Sequence, residues 1–257
     1  MLNFDMNFDW ATKRKIIYSS VAAIVLLLIL INSFWGSIFP NPTCNDKKMN
    51  ADESGIDCGG SCLSVCRGEY MNIEKDLPIF FKSGDGLYDI LATFKNNNRY
   101  IAPKEFTYRL DIYDQSGIKI DSIENTIEAP TGDTIPIYIK DYKAENISKI
   151  FVNILDYKMQ KTLGATSVRL EDFKFTNGDI PKLSVSYSSP YRFDIKEKID
   201  ILVLLYDSLG SVALVGKTSI DGLYTDKKDD FSLAWRLPTR SDIKTVKLIP
   251  ITYTYAK

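Results

Sequence analysis

Four cysteines, Cys44, Cys58, Cys62 and Cys66, fall inside one acidic stretch of 23 residues in a chain of 257. Thiols so grouped can form disulfides, hold a metal or exchange electrons. No C-x-x-C pair occurs, which removes a thioredoxin-like redox centre. The C-x13-C-x3-C-x3-C spacing is not that of paired zinc knuckles, and an even set of four in an exported segment reads as two disulfides, the alternative being zinc held by four thiolates. Three pairings are open at this level. Between and around these cysteines lie Asp46, Asn50, Glu53 and Asp57, followed by Gly59 and Gly60. Hard oxygen donors around a small glycine-containing loop suit Ca2+, so these four residues are nominated as calcium ligands; the alternative is that the acids solvate a disulfide knot.

Other chemistry is narrowly bounded. The chain has no histidine, which excludes Ser-His-Asp triads, Cys-His dyads and His-bearing metal sites. A Ser-Lys pair would need S-x-x-K, which occurs at Ser116–Lys119 and Ser241–Lys244, both beside predicted turns and without companion motifs. The 33 acids are too dispersed to nominate a catalytic pair, and no enzyme activity is expected. With a net charge of −1 and no basic block, no nucleic-acid partner is expected either.

The cysteine segment resembles a motif of bacterial surface proteins, C-x-D-G-x-x-N-x-x-E-x-G-x-D-C-G-G-x-C-x-x-C. Cys44, Asp46, Asn50, Glu53, Gly55, Asp57, Cys58, Gly59, Gly60 and Cys62 carry the resemblance. The sequence departs from the motif at Lys47, where a glycine is usual, and by one extra residue in the last spacing.

The elements on either side decide where this chemistry sits. Residues 16–39 form an apolar run of the length that spans about 30 Å of hydrocarbon, with Tyr18, Phe34 and Trp35 near its ends. Lys13, Arg14 and Lys15 precede it, so the positive-inside rule places residues 1–15 in the cytoplasm and the rest outside. "NSFWGSIFP" has no A-x-A-like cleavage site, and the segment is read as an uncleaved signal anchor rather than a cleaved signal peptide. Residues 40–69 are then an extracytoplasmic cysteine-rich neck.

Beyond Cys66 the sequence turns to short alternating runs broken by Asn, Gly, Asp and Pro, the punctuation of strands and turns. An internal repeat appears at an offset of 93. Ile90, Ala92 and Phe94 fall on Leu183, Val185 and Tyr187; Phe106, Tyr108, Leu110 and Ile112 fall on Ile199, Ile201, Val203 and Leu205. Near the ends the offset becomes 96, assigned to an insertion in the "YTDKKDD" loop. Matches on alternate residues identify inward strand faces, and each copy has the size of a seven-stranded sandwich. The shared Tyr-Asp-x-x-Gly, at Asp114 and Asp207, reads as a hairpin closed by the Asp side chain with Gly at positive φ.

"LDIYD" at 110–114 and "VLLYD" at 203–207, with "ATFKNNN" and "VSYSSPY" upstream, resemble FxLYD-type domains of bacterial surface proteins. That resemblance implies binding or spacer modules. The expected fold is mainly β: an N-terminal transmembrane helix, a small disulfide-rich segment and tandem immunoglobulin-like β-sandwiches at 70–165 and 166–257. The expected function is a single-pass plasma-membrane protein presenting two sandwiches, on the calcium-binding neck, to a protein or envelope partner. The alternative is a glycan- or small-ligand-binding accessory subunit. Loops 96–103 and 188–193 are candidate contacts through Tyr100, Tyr191 and Phe193, residues that core or turn roles would equally explain, and Trp235 is expected in the core.

Overall fold

The computed structural model describes residues 9–38, 43–239 and 242–256. The chain divides into two compact units, residues 1–62 and 63–257. In the first, α1 (Trp10–Ile38) begins with Asp9, whose carboxylate accepts the Trp10 N–H at 2.8 Å and whose carbonyl accepts the Thr12 and Lys13 N–H groups. A side-chain acceptor there satisfies an otherwise orphaned donor. Helix therefore starts six residues before the apolar run, and Lys13, Arg14 and Lys15 lie on its first turns, with the Arg14 guanidinium over the Trp10 ring. Trp10–Trp35 is long and apolar enough to cross a membrane, and its side chains are exposed. Residue 39, the expected end of the span, lies outside the described residues.

The second unit is all β. In the first copy the strands are β1 (Glu74–Lys75), β2 (Ile79–Gly84), β3 (Leu87–Lys95), β4 (Ile101–Tyr113), β5 (Lys119–Ile127), β6 (Thr134–Lys143) and β7 (Lys149–Lys161). The second has β8 (Arg169–Thr176), β9 (Lys182–Ser188), β10 (Ile199–Asp207), β11 (Val212–Ile220), β12 (Lys228–Ala234) and β13 (Ile243–Ile251). All strand pairs are antiparallel, and the pairing repeats. In copy one β3 lies between β2 and β6, and β4 between β5 and β7. Copy two repeats this with β9 between β8 and β12, and β10 between β11 and β13.

The residues matched by the repeat are the cores. Ile90, Ala92 and Phe94 meet Phe106, Tyr108, Leu110 and Ile112 in the first; Leu183, Val185 and Tyr187 meet Ile199, Ile201, Val203 and Leu205 in the second. Both hairpins have the expected closure. Asp114 Oδ1 accepts the Ile118 N–H and Asp207 Oδ1 those of Leu209 and Ser211, with Gly117 and Gly210 at φ of 76° and 75°. The insertion in copy two is divided, however. Ile137 and Phe231, which face Ala92 and Val185, are one residue further apart than those partners, and Val152 and Leu248, which face Leu110 and Val203, are three further apart. Most of the insertion therefore lies between Trp235, whose N–H still donates to Pro181 O in the β12 register, and β13.

A third apolar cluster joins the copies. Leu91, with Ile79, Phe81 and Tyr138, packs on Leu202, Leu204, Val215 and Ile249. The four sheets consequently stack in the order β5-β4-β7, β2-β3-β6, β11-β10-β13, β12-β9-β8. This is why β3 and β10 are buried at nearly every residue instead of at alternate ones: a strand covered on both faces loses its polar side. Each fully buried leucine in such a seam contributes roughly 1.5–3 kcal/mol.

The chain's last described residues return to the first copy. Thr131 and Leu163 donate N–H groups to the carbonyls of Thr252 and Thr254, both at 2.8 Å, and Ala256 N–H donates to Lys161 O at 3.1 Å. Tyr255 is buried, with its hydroxyl 2.6 Å from both Pro103 O and Ala129 O, so its single proton serves one of them at a time. Residues 63–65, assigned from sequence to the neck, instead pair with the end of β7 through Val65 N–H to Met159 O and Lys161 N–H to Leu63 O.

Candidate functional site

In the neck, Cys44 bonds to Cys62 with their Cα atoms 5.6 Å apart, and Cys58 and Cys66 are disulfide-bonded as well. With no free cysteine, a zinc site built on four thiolates does not form. Asp57 accepts the N–H groups of Asp46, at 2.9 Å, and Lys47. Asp46 accepts Lys48 N–H through one oxygen and the Thr43 hydroxyl and Asn50 amide through the other. Those partners, the Thr43 hydroxyl first, hold the Asp46 carboxyl below its ordinary pKa. Asn50 donates its N–H to Glu53 Oε2 at 3.0 Å.

The four nominated residues are thus brought together, but as acceptors for the loop's own donors. Each carboxylate still has lone pairs beyond these bonds, so a cation there would share the oxygens with the loop's own donors. The other oxygen of Glu53, a buried residue, lies 3.2 Å from Cys62 Sγ, a bridged sulfur with no proton to give. Cys44, Glu53 and Cys62 also cluster within 4.8 Å, but the sulfurs are spent in the bridge.

The backbone explains the glycines of the motif. A Cβ on Gly59 would stand 2.4 Å from Ser54 Oγ, and one on Gly60 would stand 2.1 Å from Asp52 O. Lys47, where the motif has glycine, takes φ of 60°, the left-handed region that glycine enters without penalty.

The other expected contacts separate by environment. Tyr100 and Phe193 are exposed. Tyr191 packs against the second core and its hydroxyl accepts Ser167 N–H at 2.7 Å, fastening the segment between the copies. Ser116 lies in the β4–β5 turn, and Lys119 reaches Asp111 at 3.5 Å. Ser241 lies outside the described residues.

One further concavity was not legible in sequence. A cleft of about 170 Å³ opens where the copies meet. Its lining includes Phe81, Asp89, Tyr138 and Trp235, with Lys140, Lys217 and Arg236 at its rim. Trp235, expected in the core, does pack half-buried against the second core, edge-on to Phe175, and lines the cleft as well, held by Nε1–H to Val215 O at 2.6 Å. Gly216 makes room for it: a Cβ there would stand 3.1 Å from the indole. Asp89 is buried and accepts the Tyr138 hydroxyl at 2.7 Å and Asp141 N–H at 2.9 Å. Burial, and then the Asp89 carboxylate, push the Tyr138 phenol pKa well up. Asp141 in turn accepts from Arg236 at 3.0 Å, linking the copies. In comparisons with known proteins, no family model and no curated protein matches the chain.

Proposed function

We propose that the protein is a membrane-anchored, extracytoplasmic interaction protein in which α1 is the anchor and the knotted neck carries two immunoglobulin-like sandwiches of the FxLYD type. The carrying observation is the apolar seam of Leu91, Leu202, Leu204 and Ile249, which makes the two copies one body, as a presenting module requires. The basic residues on the first turns of α1, before its apolar run, and the oxidised cysteines support an outside location for the rest of the chain. The reading assigns display and binding, and no reaction.

Protease protection on intact cells tests it. Full-length protein should resist alkaline extraction from membranes while residues beyond 43 are cut from outside. Release by alkali, or protection of the β unit, would sink the proposal. A thermal melt in Ca2+ and then in chelator reads the neck separately: a shift assigns calcium to Asp46, Asn50, Glu53 and Asp57, and no shift leaves them as acceptors for the loop alone. The cleft beside Trp235 favours a second reading, a ligand-binding accessory subunit of an envelope complex.

A further inference from the structure

We propose that the cleft beside Trp235 binds an acidic saccharide, a hydroxylated ring that carries a carboxylate. The inference rests on the ligand-binding reading just given, and it holds wherever the chain is anchored.

The cleft is built by three departures from regular sandwich geometry, all at one place. Between Ile139 and Tyr142, β6 carries one residue more than the β3 segment it faces, and within that bulge Asp141 takes φ of 54°. Bulges and left-handed non-glycine residues re-aim side chains and concentrate at binding sites. Trp235 continues the β12 register, its N–H donating to Pro181 O at 3.0 Å, and the insertion that follows it supplies Arg236. Finally, β11 places Gly216 where a Cβ would stand 2.9 Å from Leu233 and 3.1 Å from the indole.

Each lining group specifies part of the ligand. Asp89 is a buried carboxylate whose described partners are two neutral donors. Its oxygens offer about four lone-pair sites, so a ligand hydroxyl can still donate to it. Trp235 and Phe81 supply apolar faces of the kind that covers the C–H face of a sugar ring. At the rim Arg236 is paired with Asp141 at 3.0 Å and Lys217 with Asp200 at 2.8 Å, which leaves the exposed Lys140 as the rim cation with no described ion pair. A ligand carboxylate would take Lys140 as its partner and could share Arg236 with Asp141, whereas a neutral sugar would leave Lys140 unpaired. An apolar anion would leave Asp89 facing a group that cannot donate, a costly mismatch in a buried site.

The test uses the full-length chain in detergent with Trp10→Phe and Trp35→Phe, which leaves Trp235 as the sole tryptophan of three. Trigalacturonic acid and maltotriose are titrated in chelator, followed by tryptophan emission and by calorimetry. A saturable response to trigalacturonic acid, at least tenfold weaker for maltotriose, is expected. Combining Lys140→Gln with Arg236→Gln should weaken it at least tenfold, while Lys119→Gln leaves it unchanged. Both rim side chains are exposed; should the double variant melt early, Lys140→Gln alone is read in its place. Absence of both signal and heat, equal response to the neutral sugar, or indifference to the rim substitutions would overturn the proposal. None of these outcomes bears on membrane anchoring, which the protease experiment reads separately.

Discussion

Ile90, Ala92 and Phe94 in the first copy and Leu183, Val185 and Tyr187 in the second fill equivalent cores, yet the residues on the opposite faces of the same sheets have exchanged character. In the first copy the β2-β3-β6 sheet turns Ile79, Leu91 and Tyr138 outward; their counterparts in the second are Lys174, Ser184 and Ser232. Conversely, Leu202, Leu204, Val215 and Ile249 on the second copy's β11-β10-β13 sheet correspond to Arg109, Asp111, Ser122 and Asn153 on the first. The copies are therefore joined by non-equivalent faces. Such a head-to-tail contact could propagate indefinitely, and the polar residues on the two outer faces stop it after one joint. On the outer β4 face, Asp111 is held by the Ser122 hydroxyl at 2.7 Å and by Arg109 and Lys119, a network that occupies what would otherwise be docking surface. A repeat conserves what its core requires, and its other faces record what each copy must touch.

The largest expected effect tests this exchange directly. Leu202→Ala in the seam should cost about 2–5 kcal/mol in chemical denaturation, while Arg109→Ala at the matching outer position should stay within about 0.5 kcal/mol; equal costs would mean the seam is not a core. Next comes the clasp, which has no counterpart in the first copy. Removing the Tyr255 hydroxyl with Tyr255→Phe leaves buried carbonyls short of a donor and should lower stability by about 1–3 kcal/mol.

Smaller and equal effects are expected where the copies agree. Gly117→Ala and Gly210→Ala force alanine into positive φ, with open space around each position, and each should cost about 1 kcal/mol. A difference above that would show that only one hairpin bears load. The Asp111 network gives a pH signature. The Ser122 hydroxyl, then the charges of Arg109 and Lys119, lower its pKa in the folded state. A lowered carboxyl stabilises above the unfolded value near 3.9 and loses that contribution as pH falls through the folded one. Asp111→Asn should thus cost under about 1 kcal/mol at pH 7 and nothing in strong acid, read from urea midpoints across pH. Smallest in stability is Ser184→Leu, within about 0.5 kcal/mol. It should nevertheless promote self-association in sedimentation, because it gives the outer sheet the residue that seals the seam.

Legibility followed the range of the forces involved. Alternation along a strand is a local consequence of the pleat, so the inward positions and the paired Asp-Gly hairpins could be read directly. The apolar span was equally plain, since its length and composition are set by hydrocarbon thickness. Trp235 could be read as core because "DFSLAW" alternates like a core strand, and it does pack on the second core; nothing local reveals that the same indole also lines a cleft against the first copy. In the neck, the acids and glycines were recognisable as a constellation. Whether the oxygens face a cation or N–H groups depends on how the loop closes.

For this protein, then, composition and periodicity determined an apolar helix, an even set of oxidisable cysteines and two copies of one β pattern, because burial, pleat and covalent pairing act through residue type and short spacing. Tertiary structure decided that Cys44 meets Cys62, that the copies join by unlike faces, that the chain's end returns to clasp the first copy and that Asp89 and Trp235 share a cleft. Those outcomes depend on residues from 18 to more than 120 positions apart, and a shared surface exists only once both sides of it have folded.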